Sequence, residues 1–323
     1  MSSVVAISLQ DPTLAPAAVD SAATAIAPDD KDNNMVRIAF KDFNEKRFDE
    51  AEKEFSLAIK RWEELARPRD EKVSLFVARG SVRMDSKHFN EAIGDFNAAL
   101  DLMKTDGEKP DGTANYPEYP STFVELGLCY EGLADWSGAV RSYDKAVELW
   151  GGGRSDNVNP YVLNYRGNAL TRLDRYEDAI LDYDASANSF LAQRDIARYS
   201  ESRANEALAL YQVGRVEDSV KAMNDVVRKN PGFADMRVAL ASHYWSTGDY
   251  INALKEWRFV CDNISVGCVA YEDIDWLRNV RRWPSKMVKN FEAFYKREIP
   301  DGIKGLGEQR LAPSSVKLTS LQN

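Results

Sequence analysis

One pattern recurs six times along this chain. A small residue is followed nine places on by a large one, three later by Ala or Ser, and four later by an aromatic residue or Met. The copies centre on Ala51, Ala92, Ala139, Ala179, Ser219 and Ala253, at spacings of 41, 47, 40, 40 and 34 residues. Self-similarity at such a period predicts a stack of helix pairs, because one pair alone cannot bury its apolar face. Stacking also predicts an extended concave surface, the usual contact surface of repeat proteins.

Composition narrows the alternatives. A hydrophobic content of 44% is ample for a packed core. The net charge of −9 argues against general nucleic-acid binding, which needs a basic footprint. No apolar run approaches a membrane span. Three cysteines cannot build a disulfide framework. His88 and His243 are too isolated to suggest zinc, so neither a metal nor a cofactor is expected. No G-x-S-x-G, phosphate loop or H-E-x-x-H is present. Gly151-Gly152-Gly153 reads as a linker, and no catalytic residues are assigned. Residues 1–32 are Ala-rich, with no Lys or Arg before Lys31. They lack the pattern of a signal peptide and the Arg-rich character of a transit peptide. If the protein is imported, they read as the stretch behind a cleavage site, and they are expected to be disordered.

The third copy shows the helix pair most plainly. Phe123, Leu126, Gly127 and Tyr130 share one face of a first helix. Trp136, Ala139, Tyr143 and Ala146 line a second. Gly127 and Ala139 let the helices approach, and the aromatics fill the space around them. Gly80 with Phe96, and Gly167 with Tyr183, repeat this arrangement. From about Asn34 to Cys261 the chain resembles the tetratricopeptide repeat family. The resemblance implies an all-α, right-handed superhelical solenoid of about six helix pairs. The copies exceed the family's usual length, so either the second helices or the loops between copies must be longer.

In that family the first helices line the concave groove. On this register the groove carries Tyr161, Asn164, Tyr165, Asn168 and Arg172 from the fourth copy. It adds Asn205, Leu208 and Tyr211 from the fifth, and Ser242 and Trp245 from the sixth. Asn side chains can pair with an extended peptide backbone, and Tyr and Trp offer large contact area. One subfamily, the co-chaperones, grips the acidic carboxyl terminus of heat-shock chaperones with a carboxylate clamp. Its two asparagines match here as Asn168 and Asn205. Its cations do not: Asn164 stands in place of the first Lys, and Asp235 and Ala239 replace the last basic pair.

Beyond Cys261 the repeat ends. Pro284 suits the first turn of a further helix, expected over Ser285 to Arg297, with Met287, Val288, Phe291, Phe294 and Tyr295 on its apolar face. Between Arg278 and Arg297 seven basic residues face Glu292 alone, a net of +6 that leaves −15 for the remainder. A helix of this kind either caps the last repeat or meets an anionic membrane surface or acidic partner. The cap is the expected outcome, with Arg278, Arg281, Arg282, Lys286 and Lys289 facing solvent as a secondary basic patch. The stretch from Asp275 to Pro284 is similar to the end of tetratricopeptide proteins from chloroplasts and cyanobacteria. That similarity implies a plastid setting, in the thylakoid lumen or at its membrane surface. Cys261 and Cys268 could bridge a short loop in an oxidising compartment. Cys129 reads as a small apolar core residue.

The expected organisation is a disordered segment 1–32, a solenoid 33–261, a helical cap 262–298 and a flexible tail 299–323. The expected role is a non-enzymatic scaffold or assembly factor for protein partners, among them a photosynthetic membrane complex. A permanent subunit of such a complex and a co-chaperone with an incomplete clamp are the alternatives.

Overall fold

The computed structural model describes residues 29–104, 120–155, 157–264 and 267–297. The expectations for residues 1–28 and for the tail lie outside the described residues. Six helix pairs follow in order: α1 (Asp30–Asn44) with α2 (Phe48–Glu64), α3 (Arg69–Asp85) with α4 (Phe89–Lys104), and α5 (Pro120–Gly132) with α6 (Trp136–Leu149). Then come α7 (Pro160–Arg172) with α8 (Tyr176–Ala192), α9 (Ile196–Val213) with α10 (Val216–Lys229), and α11 (Ala234–Ser246) with α12 (Tyr250–Asn263). A short 3-10 turn at Val269–Tyr271 and one π turn at Trp276–Val280 lead into α13 (Ser285–Tyr295). Among the described residues there is no strand. The protein is an all-α solenoid with a helical cap.

The small residues of the repeat do what their spacing predicts. A Cβ on Gly80 would stand 2.7 Å from Phe96, and one on Gly167 2.6 Å from Tyr183. Gly127 meets Tyr143 more closely still. Each aromatic ring lies close against the facing first helix, and any side chain there would displace it. Phe96, Tyr143 and Tyr183 are accordingly buried.

The turn inside each pair is also repeated. A left-handed residue follows the first helix in all six, two places past its end at Lys46, Lys87, Ala134, Asp174 and Gly248 and one place past it at Gly214. The next N–H then reaches back to close the helix, as from Arg47 to the Asp42 carbonyl at 2.8 Å and from Asp249 to that of Tyr244 at 2.8 Å. Two of these positions hold glycine, the residue such a cap favours, and four do without it.

The extra repeat length is shared between helices and loops. α2 and α8 have 17 residues, against 14 in α10 and α12. Gly151, Gly152 and Gly153, all left-handed, turn the chain between α6 and α7. Two boundaries shift from expectation. α1 begins at Asp30 because Asp29 and Asp32 form a reciprocal capping box, and Arg61 of α2 holds Asp32 at 2.9 Å. α13 ends at Tyr295 because Arg297 turns left-handed behind it.

The largest core cluster unites α9 to α12 with the block behind them. Leu277, Trp283, Met287, Val288, Phe291 and Phe294 pack with Trp245, Trp257 and Leu240. The cap is therefore core rather than appendage.

Candidate functional site

First helices of successive pairs touch along the inner face, α3 against α5 and α7 against α9. Position in the repeat thus decides which side chains meet there. Asn164, Asn168 and Asn205 come together. The Asn205 amide donates to Asn164 Oδ1 and Asn168 Oδ1, each at 3.2 Å, and the Tyr183 hydroxyl donates to Asn168 Oδ1 at 2.9 Å. Tyr161 and Tyr165 stand beside them, half-buried, with ring centroids 6.5 Å apart. Arg172 lies over the Trp136 ring at 5.0 Å.

The remaining groove residues are not where a partner could reach them. Leu208, Tyr211, Ser242 and Trp245 are all buried. Trp245 packs edge-on against Tyr250 and Phe294, and Asn290 of α13 donates to the Tyr211 hydroxyl at 2.7 Å. The reason is the chain's own carboxyl-terminal block, which lies across the inner face of the last two pairs. Gln212 fixes its entry, donating to Ser285 Oγ at 3.2 Å and accepting from the Lys286 N–H at 3.1 Å.

Asp235 is the hub of that closure. It accepts from the Tyr271 hydroxyl at 2.9 Å and from the Trp283 indole at 3.4 Å, and it forms an ion pair with Arg281. The same guanidinium reaches Asn205 Oδ1 at 3.3 Å. Burial opposes the charge on Arg281, and the Asp235 carboxylate outweighs it, so the guanidinium is held more firmly protonated than usual. Both clamp asparagines are thereby engaged within the chain. The site also has the wrong sign for a carboxylate, since an acid stands where the clamp needs a cation.

The basic patch is likewise divided. Arg281 does not face solvent freely as expected but turns inward, partly buried, to pair with Asp235. Arg282 crosses the solenoid: its guanidinium donates to Glu131 Oε2 of α5 at 3.1 Å and covers Trp136 at 4.9 Å. Arg278 pairs with Glu292 and Asp275. Lys286 and Lys289 are exposed. The apolar face of α13 is spent on the core, which removes the surface-anchor alternative for it; only Tyr295 of that face is exposed. No helix among the described residues is long and apolar enough to cross a membrane. Between α7, α9 and the segment from Val280 to Ser285 a cleft of about 420 Å³ remains.

Cys261 and Cys268 are joined in a disulfide, with Cα atoms 4.9 Å apart. It ties the end of α12 to the start of the cap. Cys129 is buried, and burial followed by the nearby Glu125 carboxyl pushes its thiol up to about 12, a core residue rather than a nucleophile.

Several roles were not read from sequence. Asp235, noted there only as an acid at a clamp cation position, holds Arg281, and Glu131, not singled out, holds Arg282; the signal was that acid and an Arg-Arg pair downstream. Glu125 is a third. It stands on α5 opposite Ser81 of α3, and nothing in its local sequence marks it.

Known proteins share this architecture. Residues 205–257 match the tetratricopeptide repeat family. That stretch carries the tetratricopeptide repeat. The solved structures similar to it include a tetratricopeptide repeat protein from Parabacteroides merdae. It is 13% identical with a TM-score of 0.55, over 83% of this chain and all of that one (100%). RapI in its apo form gives 11% identity and a TM-score of 0.60, over 82% of this chain and 95% of that one. Aspartyl phosphate phosphatase F from Bacillus subtilis gives 13% and 0.55, over 83% and 69%. At these identities the likeness is one of fold. A fold of this kind fits a protein-interaction scaffold.

Proposed function

We propose that this protein is a scaffold or assembly factor that holds a partner's segment along the inner face of α1, α3, α5 and α7. The observation that carries the reading is the contrast within that face. Its carboxyl-terminal half is filled by the chain itself, whereas its amino-terminal half presents Phe40, 42% exposed, and the half-buried Leu128 and Tyr165, with Tyr161 beside them under the Arg198 guanidinium. Exposed aromatics on a rigid concave frame are the usual anchors of a protein contact. The asparagine clamp plays no part in this reading, because Asn205 is committed to Arg281 of the cap and Asn168 to Asn205 and Tyr183.

A plastid location, in the thylakoid lumen or at its membrane surface, and a photosynthetic complex as partner are part of the proposal. The Cys261–Cys268 disulfide supports an oxidising compartment. The exposed Lys286 and Lys289 leave room for a peripheral contact with an anionic surface. Affinity capture with the full chain and with a Phe40→Ala, Tyr165→Ala variant tests the groove. The variant should keep its melting curve and lose a specific partner by about tenfold or more, since each anchor contributes about 2 kcal/mol. Equal capture by both proteins would overturn the reading. A partner found only on assembly intermediates supports the assembly role, and one recovered stoichiometrically with a finished complex supports a permanent subunit.

A further inference from the structure

The open half of the inner face contains, among the described residues, one buried carboxylate oxygen left without a partner. Glu125 sits on α5 and is partly exposed as a residue, yet its Oε2 is sealed from solvent and makes no hydrogen bond. Its Oε1 lies 3.3 Å from Ser81 Oγ, and that hydroxyl also reaches the Val77 carbonyl at 3.0 Å. One hydroxyl proton cannot serve both acceptors fully, so Glu125 is held by little. Buried polar groups are nearly always paired, and an orphan carboxylate in a groove asks for an explanation.

The repeat supplies one. Glu125 stands two residues before the crossing glycine Gly127 of its pair, and Asn205 stands two before the crossing Ala207 of its own. Each meets the preceding first helix one residue past its own crossing position, at Ser81 after Gly80 and at Asn168 after Gly167. Glu125 and Asn205 are therefore the same position two pairs apart. At Asn205 that position accepts a guanidinium, from the chain's own Arg281. On the same helix as Glu125, Glu131 accepts the other, from Arg282. The inner face thus already binds cationic side chains at two places, both supplied in cis.

We infer that Glu125 is a cation subsite of the open half, accepting the Lys or Arg side chain of a partner segment whose apolar residues lie on Phe40 and Leu128. The carboxylate swings from the weak Ser81 contact toward the groove and takes a charge-assisted hydrogen bond that the described residues do not provide. Two further facts agree. Among the described residues no cation is placed on Glu125, and Asp85 on α3 adds negative potential beside it. Burial pushes the carboxyl up to about 8, so an arriving cation also restores its ionised form.

This inference rests on the groove reading above, and one experiment separates the two. Terminally blocked heptapeptide pools, random except for a central Arg, Lys, norleucine or Glu, are titrated against the full chain. The Arg and Lys pools should bind about tenfold tighter than the norleucine pool, the size of one charge-assisted bond. Glu125→Gln should abolish that preference, leave norleucine binding unchanged and not lower the melting temperature. In the wild type, the Glu125 carboxyl carbon resonance should move to its ionised position when the Arg pool binds. Equal binding of the four pools, or a preference that survives in Glu125→Gln, overturns the cation subsite and leaves the groove standing. Binding by none of the pools overturns both.

Discussion

The two halves of the inner face are made of the same repeat and have become different surfaces. From α1 to α7 the first helices present side chains outward, and Phe40 remains exposed. From α9 onward the equivalent face is sealed by residues 271–294, and Trp245, Tyr211 and Leu208 lie in the core. The difference is not in the helices themselves. Ala39, Gly80, Gly127 and Gly167 serve the open pairs, and Ala207 and Ala241, small residues like them, occupy the same place in the closed ones. It lies in one acid, Asp235, set where it can gather Arg281, Tyr271 and Trp283. In a solenoid each repeat depends only on its neighbours, so one half can be converted to structure while the other stays available for binding.

The severest way to break this comparison is to remove the cap. A chain ending at Asn279 loses Arg281, Trp283 and the buried face of α13. Loss of one buried aromatic alone costs about 3–5 kcal/mol. The closed half should therefore unfold cooperatively, while amides of α1 to α6 keep their protection. Hydrogen exchange on both chains measures this, and uniform loss across all helices would show that the halves are not separate.

A milder disturbance is Arg281→Ala. It leaves Asp235 buried with two neutral donors and Asn205 Oδ1 without its guanidinium. Stranding a buried charge costs about 3–5 kcal/mol. Since the Arg281 side chain is 25% exposed, the low end is expected. Chemical denaturation gives the value, and a change under about 1 kcal/mol would mean that aromatic packing alone holds the cap.

The smallest effect is a slope in pH. Each half contains a glutamate whose burial raises it, Glu125 to about 8 in the open half and Glu206 to about 7 in the closed one. An acid whose folded value exceeds its unfolded value binds its proton better in the folded state. The stability these two glutamates contribute should then be full below the ordinary glutamate value of 4.5, fall as pH rises toward 8, and be lost above. Melting temperatures from pH 5 to pH 9 test this. Glu206→Gln should flatten the lower part of the curve and Glu125→Gln the upper part.

Much of this was legible in the sequence. The crossing glycines and their facing aromatics, the six pairs, and the apolar face of α13 follow from spacing, because each is a local pattern repeated at a fixed period. The Schellman-type turns were not, since Lys46, Lys87, Ala134 and Asp174 adopt a glycine conformation without being glycine. The closed groove was not legible either. Tyr211 and Trp245 hold the register of groove residues, and only a contact with residues some 50 to 80 places later decides their burial. Long-range pairing of Arg281 with Asp235 and of Arg282 with Glu131 leaves no periodic trace. It is visible beforehand only as complementary charge.

The cap also imposes a timetable. Helix pairs of a solenoid can form one after another as the chain leaves the ribosome, each against the one before. The pairs α1/α2 to α7/α8 can keep that order. The last two pairs cannot finish, because Trp245, Trp257 and Leu240 wait for Leu277, Trp283 and Phe291, which are made after them. Until then a broad aromatic face stays uncovered, at the stage when exposed apolar surface most readily recruits chaperones or aggregates. The solenoid is therefore most vulnerable after its last pair has been made, and the final turn of α13 is what closes it.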